Sequence, residues 1–425
     1  MTFQFLIMLA YAVLCMAGFI WISKNKVQPR KPLMVLLAVL MLGGLIRLYY
    51  GVQLVAYWHD IRCFKEWGDA IALFGMKNVY NSGIFLDYPP GYMYILWLSN
   101  LVQDFLQLNL NGRRYTLIIK APAMAADLIS AMFIYYVASK KLDEKTSLFL
   151  ASAYTFCPAI IYNSAIWGQI DSWYTLFVLL ALYFATEDNV VMASISYAVA
   201  LITKPQALLF GPVLLFWVIR KKDWKVFFTA VGTGLSVVYL MALPFSSSLN
   251  PLWLVKLYAN TFGGYKYFTV NGYNLFMLSG LNYVEIFKGQ RANFINPAVI
   301  VLCFVFCMWA YFARHTKGIN FSTAATLITV FFSFCTMMHE RYMHPAIILA
   351  VFAYIYTQHK GWLLTALLSV GANYLNVASV LREYYLDVAI TQPMYSCISI
   401  MAIAAALTAV VISAKDKNDH FIIRK

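Results

Sequence analysis

The stretch LMVLLAVLMLGGLIRLYYGVQLV, residues 33–55, decides the fold class of this chain. Arg47 is its single charged side chain, and Leu, Val, Met and Tyr make up most of the rest. A helix of roughly 20 apolar residues crosses the hydrocarbon core of a bilayer. Residues 33–55 are therefore predicted to span a membrane.

The composition of the whole chain agrees with this prediction. Of the 425 residues, 62% are hydrophobic and 12% are charged, and the mean hydropathy is +0.68. Soluble globular proteins have about 45–50% apolar and about 25% charged residues. The composition excludes a soluble enzyme, a disordered protein and a disulfide scaffold, and it predicts an all-α polytopic membrane protein.

Further apolar runs predict about 13 transmembrane helices in a single domain over residues 1–425, with no separate soluble domain. Two long external loops interrupt the runs, at residues 56–115 and 245–295. The first loop is expected to contain interfacial helices, because the run 91–108 includes polar residues and is predicted not to cross. The predicted spanning helices cover residues 3–22, 33–55, 116–138, 146–164, 172–187, 189–203, 206–220, 225–243, 296–314, 321–338, 345–358, 361–379 and 394–413.

Basic side chains decide the predicted orientation. The net charge is +14, and Lys and Arg concentrate in the cytoplasmic loops of membrane proteins. If 91–108 does not cross, the basic clusters near residues 24–31, 140–145 and 220–225 all face the cytoplasm. The N-terminus is then outside and the C-terminus cytoplasmic. The first run has no basic residues before it, so we expect a retained helix and no cleaved signal peptide. The absence of organelle signals favours a prokaryotic plasma membrane.

Polar motifs then fall on the external side of the membrane, although they are distant in sequence. Charged side chains at the membrane are costly and usually functional, so these motifs are expected to converge on one site. The motifs are HD at residues 59–60, LDYPPGY at 86–92, WGQID at 167–171, KPQ at 204–206 and HERY at 339–342.

The residue types suit transfer of a group from a phospholipid carrier. Arg341, Lys204 and His339 are the candidates for holding the donor phosphate, and an arginine can bind two of its oxygens. Asp60 is the candidate catalytic base that takes the proton of an acceptor hydroxyl. Sugar or acceptor binding is predicted for Gln169, Asp171, Gln206, Glu340, Tyr342, Asp87 and Tyr88.

No cofactor and no metal site are predicted. The sequence lacks a nucleotide-binding motif, so a nucleotide-sugar donor is not expected. The histidines lack the spacing of metal ligands, but a divalent cation that joins Asp60 and Asp171 to the phosphate remains an alternative. Among the seven cysteines, Cys63 alone lies outside the apolar runs, so structural disulfides are not expected.

Taken together, the motifs resemble the GT-C glycosyltransferases, multi-pass enzymes that use polyprenyl-phosphate sugars. The resemblance covers roughly residues 50–345 and is strongest to mannosyltransferases related to GPI mannosyltransferase II. It rests on Asp60, DYPPGY at 87–92, NSAIWGQIDS at 163–172, KPQA at 204–207 and HERY at 339–342.

This resemblance implies a GT-C fold with an acid of the first external loop as the catalytic base, which is Asp60 here. It also implies inverting transfer of a hexose, with mannose as the first choice, on the extracytoplasmic face. The implied partners are a polyprenyl-phosphate-linked sugar donor, a glycan, glycolipid or protein acceptor, and membrane lipid. Nucleic acid is not among them.

Several acidic residues keep a second interpretation. Asp60 is either the base or the first solvated residue after a helix, and Glu66 and Asp69 compete with it for the role. Asp87 either lies in the site or orders a turn. Asp171 either binds a ligand or caps the next helix.

The basic motifs also keep a second interpretation. Lys204 either contacts the donor or extends along the membrane towards water. Glu340 and Arg341 either bind a ligand or pair with each other. At the level of the whole chain, the alternatives are a transporter or flippase for a lipid-linked sugar and a structural assembly subunit.

Overall fold

The computed structural model of the chain describes residues 32–54, 57–248, 250, 252–264, 266–287, 292–313, 316–386 and 393–415. The predicted helix 3–22 lies outside these residues. Almost every element in the described part is helical, which confirms the all-α prediction. The α-helices are Pro32–Gln53, Trp58–Phe74, Pro90–Phe105, Arg113–Ala138, Glu144–Thr155, Pro158–Ile161, Asp171–Thr186, Val190–Thr203, Gly211–Lys221, Trp224–Ala242, Leu252–Gly263, Leu275–Leu278, Ala292–Phe312, Ile319–Phe334, His344–Thr357, Gly361–Leu386 and Ser396–Lys415.

Many of these helices suit a membrane, and the chain is a multi-pass membrane protein. Six stretches of the described part are long and apolar enough to cross a bilayer, and five shorter apolar helices accompany them. The total of about 13 crossings, the GT-C type and the orientation stay predictions. The six long stretches are Pro32–Gln53, Arg113–Ala138, Glu144–Trp167, Trp224–Phe245, Gly361–Leu386 and Pro393–Val411.

One predicted helix is interrupted. The apolar run 146–164 predicts a continuous helix, but the structure breaks it at Cys157, before Pro158. Proline has no N–H donor and its ring clashes with the preceding turn, which ends a helix at this position. After Pro158–Ile161 the backbone widens into a π-helical turn, Tyr162–Trp167. Such turns are frequent at functional sites.

The first long loop contains the α-helices Trp58–Phe74 and Pro90–Phe105, of which the second covers most of the predicted run 91–108. In Trp58–Phe74, Ile61, Phe64 and Ile71 are buried on one face. Pro90–Phe105 begins with a proline in its first turn, where the missing N–H donor costs nothing. Their position relative to the bilayer plane stays a prediction.

The described residues form two compact units. The first comprises residues 1–209, 223–266 and 374–391, and the second comprises 210–222, 267–373 and 392–425, each within the described part. The prediction of one domain over the whole chain stays a prediction.

The core of the first unit lies between the two loop helices and Arg113–Ala138. Phe64, Trp67, Tyr88 and Tyr92 form its aromatic centre, where Phe64 meets Tyr92 edge to face at a centroid distance of 5.0 Å. A Cβ atom at Gly91 would lie 2.7 Å from the carbonyl oxygen of Ile202. Glycine therefore permits the close approach of Pro90–Phe105 to the helix that ends at Thr203.

In the second unit, Ile319–Phe334 packs against His344–Thr357, and the rings of Phe321 and Phe352 are 5.1 Å apart. Two short parallel strands, Thr269–Val270 and Met338–His339, form the sheet of the described part. These strands place the segment 339–342 next to the second long loop.

Candidate functional site

Asp60 is the centre of a hydrogen-bonded group in the first unit. It lies in the first turn of Trp58–Phe74 and is half-buried. Its Oδ2 accepts a hydrogen bond from Trp167 Nε1 at 2.7 Å and another from the side-chain amide of Gln169. The two N–H donors fix the orientation of the carboxylate, while its partial exposure lets a second molecule approach.

Trp167 and Gln169 connect Asp60 to the rest of the unit. The Trp167 ring stacks on Tyr57 at 4.5 Å, and its carbonyl accepts the Tyr57 backbone N–H at 3.3 Å. Gln169 is buried, and its Oε1 accepts a hydrogen bond from the Tyr88 hydroxyl at 3.2 Å. The structure therefore brings together the predicted residues Asp60, Gln169 and Tyr88.

Asp171 and Lys204 form a buried ion pair in the same unit. The side chains are 1% and 0% exposed, and Asn163 Nδ2 donates to Asp171 Oδ2 at 3.0 Å. The Lys204 amino group also lies 5.6 Å from the ring centres of Tyr88 and Tyr174, within cation–π range. Burial of two charges is tolerated when they are paired and hydrogen-bonded.

Two of the open interpretations concern these residues. Lys204 is buried and does not extend towards water. Asp171 begins the helix Asp171–Thr186, and the cap position is Ile170, without a side-chain cap bond. Binding of the donor phosphate by Lys204 and of a ligand by Asp171 stay predictions.

The competing acids have other partners. Glu66 pairs with Arg62 at 2.9 Å on an exposed face. Asp69 accepts a hydrogen bond from Asn100 at 3.0 Å. Burial raises the pKa of Asp69 above its ordinary value, opposed by the Asn100 hydrogen bond and reinforced by the nearby charge of Asp104. Asp60 is the acid that Trp167 and Gln169 orient.

Asp87 and Gln206 lie in the same unit as Asp60. Asp87 is half-buried, and its carbonyl accepts a hydrogen bond from the Thr261 hydroxyl at 2.8 Å. Gln206 is half-buried in the short 3₁₀-helix Pro205–Phe210. Their predicted roles stay predictions.

Sequence analysis missed a buried polar network in the first unit. Arg47 Nε lies 2.8 Å from Asp127 Oδ2, and the Ser164 hydroxyl donates to the same oxygen at 2.5 Å. Arg47 also donates to the Thr155 carbonyl at 2.9 Å. A charge inside an apolar run indicates such a network, because each buried charge needs a partner in the membrane. The sequence does not identify the partner.

Lys120 is a second buried cation that sequence analysis missed. It is fully buried, and its amino group donates to the carbonyl oxygens of Ala165 at 2.9 Å and Gly51 at 3.2 Å. Its position in the predicted helix 116–138 is again the only signal in the sequence.

The side chains of the motif 339–342 contact one another in the second unit. Arg341 pairs with Glu340, and His339 Nδ1 lies 4.0 Å from the same carboxylate. The rings of His339 and Tyr342 are 5.0 Å apart, and Asn373 Nδ2 donates to the Arg341 carbonyl at 3.2 Å. The pairing of Glu340 with Arg341 is therefore present, while phosphate binding by Arg341 and His339 stays a prediction.

In the described part of the chain, no group of three or more His, Cys, Asp or Glu residues is placed to hold a metal ion. A cation between Asp60 and Asp171 would also meet a carboxylate that Lys204 already neutralises.

The helices and the buried polar network define an all-α, multi-pass membrane protein with a polar site inside its first unit. The sequence model of the family described as GPI transamidase subunit PIG-U matches residues 48–264, about half of the chain, and the chain belongs to this family. PIG-U proteins are related to GT-C-like membrane proteins, which supports the predicted resemblance at that level. No curated protein matches the chain. The matched region contains Asp60, Asp171 and Lys204, and it ends before the motif 339–342.

Proposed function

We propose that this protein is a membrane glycosyltransferase of the GT-C type. It transfers a hexose, mannose in the first instance, from a polyprenyl-phosphate carrier to an acceptor on the extracytoplasmic face. The observation that carries the proposal is the half-buried Asp60, which Trp167 and Gln169 orient beside a buried polar network. Membership of a family related to GT-C-like proteins supports the same reaction class.

Asp60 acts as the general base. It accepts the proton of the acceptor hydroxyl while the hydroxyl oxygen forms a bond to the anomeric carbon. The bond from that carbon to the phosphate oxygen breaks, and the lipid phosphate leaves with the electron pair. One displacement inverts the anomeric carbon, and a positioned base contributes about 10²–10⁴-fold to the rate.

The other side chains of the first unit bind and orient. Gln169 and Tyr88 keep the Asp60 carboxylate in place and offer polar groups to sugar hydroxyls. Asp87 and Gln206 are proposed to contact the sugar or the acceptor. Lys204 is proposed to offer its ammonium group to the donor phosphate. Because Lys204 pairs with Asp171, no lone charge is buried before the donor binds.

A further part of the proposal concerns Arg341, which lies in the second unit. Its guanidinium group, with His339, Glu340 and Tyr342 around it, holds the phosphate of the donor. An Arg341→Ala variant is expected to bind polyprenyl-phosphate-mannose more weakly, and an unchanged donor affinity would remove the phosphate role.

The proposed orientation places the N-terminus outside a prokaryotic plasma membrane and the C-terminus in the cytoplasm. Single cysteines in place of Ser82 and Lys145 test it in intact cells, in a background without the native cysteines. An impermeant thiol reagent should label position 82 and spare position 145. The reverse pattern would overturn the orientation.

The decisive experiment measures transfer from polyprenyl-phosphate-mannose by the purified protein, with a crude membrane extract as the acceptor source. Asp60→Asn should lower the transfer rate at least about 10²-fold and leave donor binding intact. Glu66→Gln, on the same helix but exposed, should keep the wild-type rate. Turnover by Asp60→Asn at the wild-type rate would refute the proposed base.

Membership of a family described as a GPI transamidase subunit favours a second candidate function. A subunit of a GPI transamidase belongs to a complex, so this chain would bind a lipid-linked glycan and present it to a partner enzyme. In that case the wild type would bind the lipid-linked glycan but transfer no sugar from polyprenyl-phosphate-mannose, and Asp60→Asn would have no reaction to impair. The transporter alternative is not favoured by the family match.

A further inference from the structure

Lys120 joins the ends of two helices. One bonded carbonyl, that of Gly51, lies in the last turn of Pro32–Gln53, and the other, that of Ala165, lies in the π-helical turn Tyr162–Trp167. Carbonyl groups in the last turn of a helix have no intrahelical partner and form the negative end of its dipole. A buried ammonium group stabilises both ends.

The stem of Lys120 also packs against the site. Gly168 has φ 91, and a Cβ atom there would lie 3.2 Å from Lys120 Cγ and 2.8 Å from Ile61 Cδ1. Gly168 therefore lies between the lysine stem and Ile61, the residue that follows Asp60. The ammonium group and the stem thus contact the segment that carries Trp167 and Gln169, and this segment packs in turn against Ile61.

We propose that Lys120 is a positioning residue for Asp60. It holds the backbone of residues 165–168 so that Trp167 and Gln169 can both donate to the carboxylate. Lys120 is fully buried and bonds backbone carbonyls, so it acts through this segment and not on the reacting atoms. The catalytic consequence of this inference depends on the proposed function.

The test replaces Lys120 with Met, which keeps an unbranched stem but has no N–H donor. Lys65→Met is the matched control, because Lys65 is also a buried cation, lies on the helix of Asp60 and contacts the Tyr115 ring at 5.7 Å. Lys120→Met should lower kcat by about 10²-fold, the loss expected from a misplacement of about 1 Å. KM for polyprenyl-phosphate-mannose should not change, and Lys65→Met should keep kcat.

Hydrogen exchange supplies a measurement that does not depend on the reaction. Backbone amides of residues 166–169 should exchange faster in Lys120→Met than in the wild type or in Lys65→Met. If the wild type transfers no sugar, the proposed function fails, and the exchange result still decides whether Lys120 orders this segment.

Several outcomes would overturn the inference. Wild-type kcat together with wild-type protection of residues 166–169 is one. The second such outcome is a general loss of stability that changes kcat and KM equally and that also occurs in Lys65→Met. Lys120→Gln is the second variant if the Met variant does not fold. The amide group of Gln can donate hydrogen bonds, but the side chain is too short to reach both carbonyl oxygens. A wild-type kcat in this variant would also contradict the inference.

Discussion

The segments 167–171 and 339–342 both carry polar side chains, follow apolar helices and were expected to form the site, but they are held in different ways. In the first, the partners are distant in sequence: Asp60 is 107 positions from Trp167. In the second, the ion pair joins the neighbours Glu340 and Arg341. The first segment therefore takes its geometry from the tertiary fold, and the second takes its ion pair from local sequence.

The difference indicates where substitutions will propagate. A change in the first segment leaves a charge or a donor of another helix without its partner inside the membrane. A change in the second removes an ion pair between adjacent residues, one of which is partly exposed. Four substitutions test this contrast, from the largest expected effect to the smallest.

Breaking the buried ion pair of Lys204 and Asp171 should lower the free energy of unfolding more than the other three substitutions. Asp171→Asn leaves a buried ammonium group uncompensated, which costs about 3–5 kcal/mol. The double variant with Lys204→Met and Asp171→Leu should lose less than the single variant, because no lone charge remains. The unfolding free energy from SDS titration in detergent micelles measures both. A double variant less stable than Asp171→Asn would contradict the argument.

Gly168→Ala should cause the second-largest loss in the free energy of unfolding. A positive φ costs an alanine about 1–3 kcal/mol. The contact of its Cβ with Ile61 adds about 1 kcal/mol, the lower end of the overpacking range, because the atom it meets is the end of a side chain that can shift. Gly232→Ala is the control, since a Cβ there meets no atom within 4 Å and the residue is inside the helix Trp224–Ala242. It should be neutral or stabilising by up to about 1 kcal/mol. Equal stabilities of the two variants in the same titration would argue against strain at Gly168.

Glu340→Gln should cost about 1–3 kcal/mol, the range for leaving a buried group without its partner. Arg341 is 11% exposed and can turn towards water, so the loss should stay below that of Asp171→Asn. A loss as large as that of Asp171→Asn, in parallel titrations, would show that the second segment depends on its surroundings as strongly as the first.

The smallest effect is expected at the exposed pair of Arg62 and Glu66. Such helix pairs contribute about 0.3–0.5 kcal/mol, and salt screens them. Glu66→Gln should therefore lower the unfolding free energy by about this amount at low ionic strength and less in 1 M salt. A loss that salt does not reduce would indicate a contact other than the ion pair.

The apolar runs of the sequence predict the helices well because burial in a bilayer leaves few charges in them. Pro158 carries the signal for the break after Thr155, but the π-helical turn that follows has no comparable signature. Its geometry depends on contacts with other helices, among them the bond from Lys120 to Ala165.

The candidate site shows the same limit. Asp60, Gln169 and Tyr88 were assigned to one site and are joined by hydrogen bonds. Lys204 and Asp171 were also chosen, but their pairing with each other depends on how two helices meet. A sequence displays a charge inside an apolar run, whereas its partner follows only from the tertiary packing.

The ion pairs of the first unit also determine how it responds to a voltage. Moving one lone charge across the bilayer changes its electrostatic energy by about 2.3 kcal/mol for each 100 mV of transmembrane potential. Lys204 with Asp171, and Arg47 with Asp127, are each neutral as a unit. The electric field can act on them only through the few ångströms that separate their charges. These two pairs therefore add little voltage dependence of their own, whereas the buried ammonium group of Lys120 has neutral carbonyl partners and keeps its net charge.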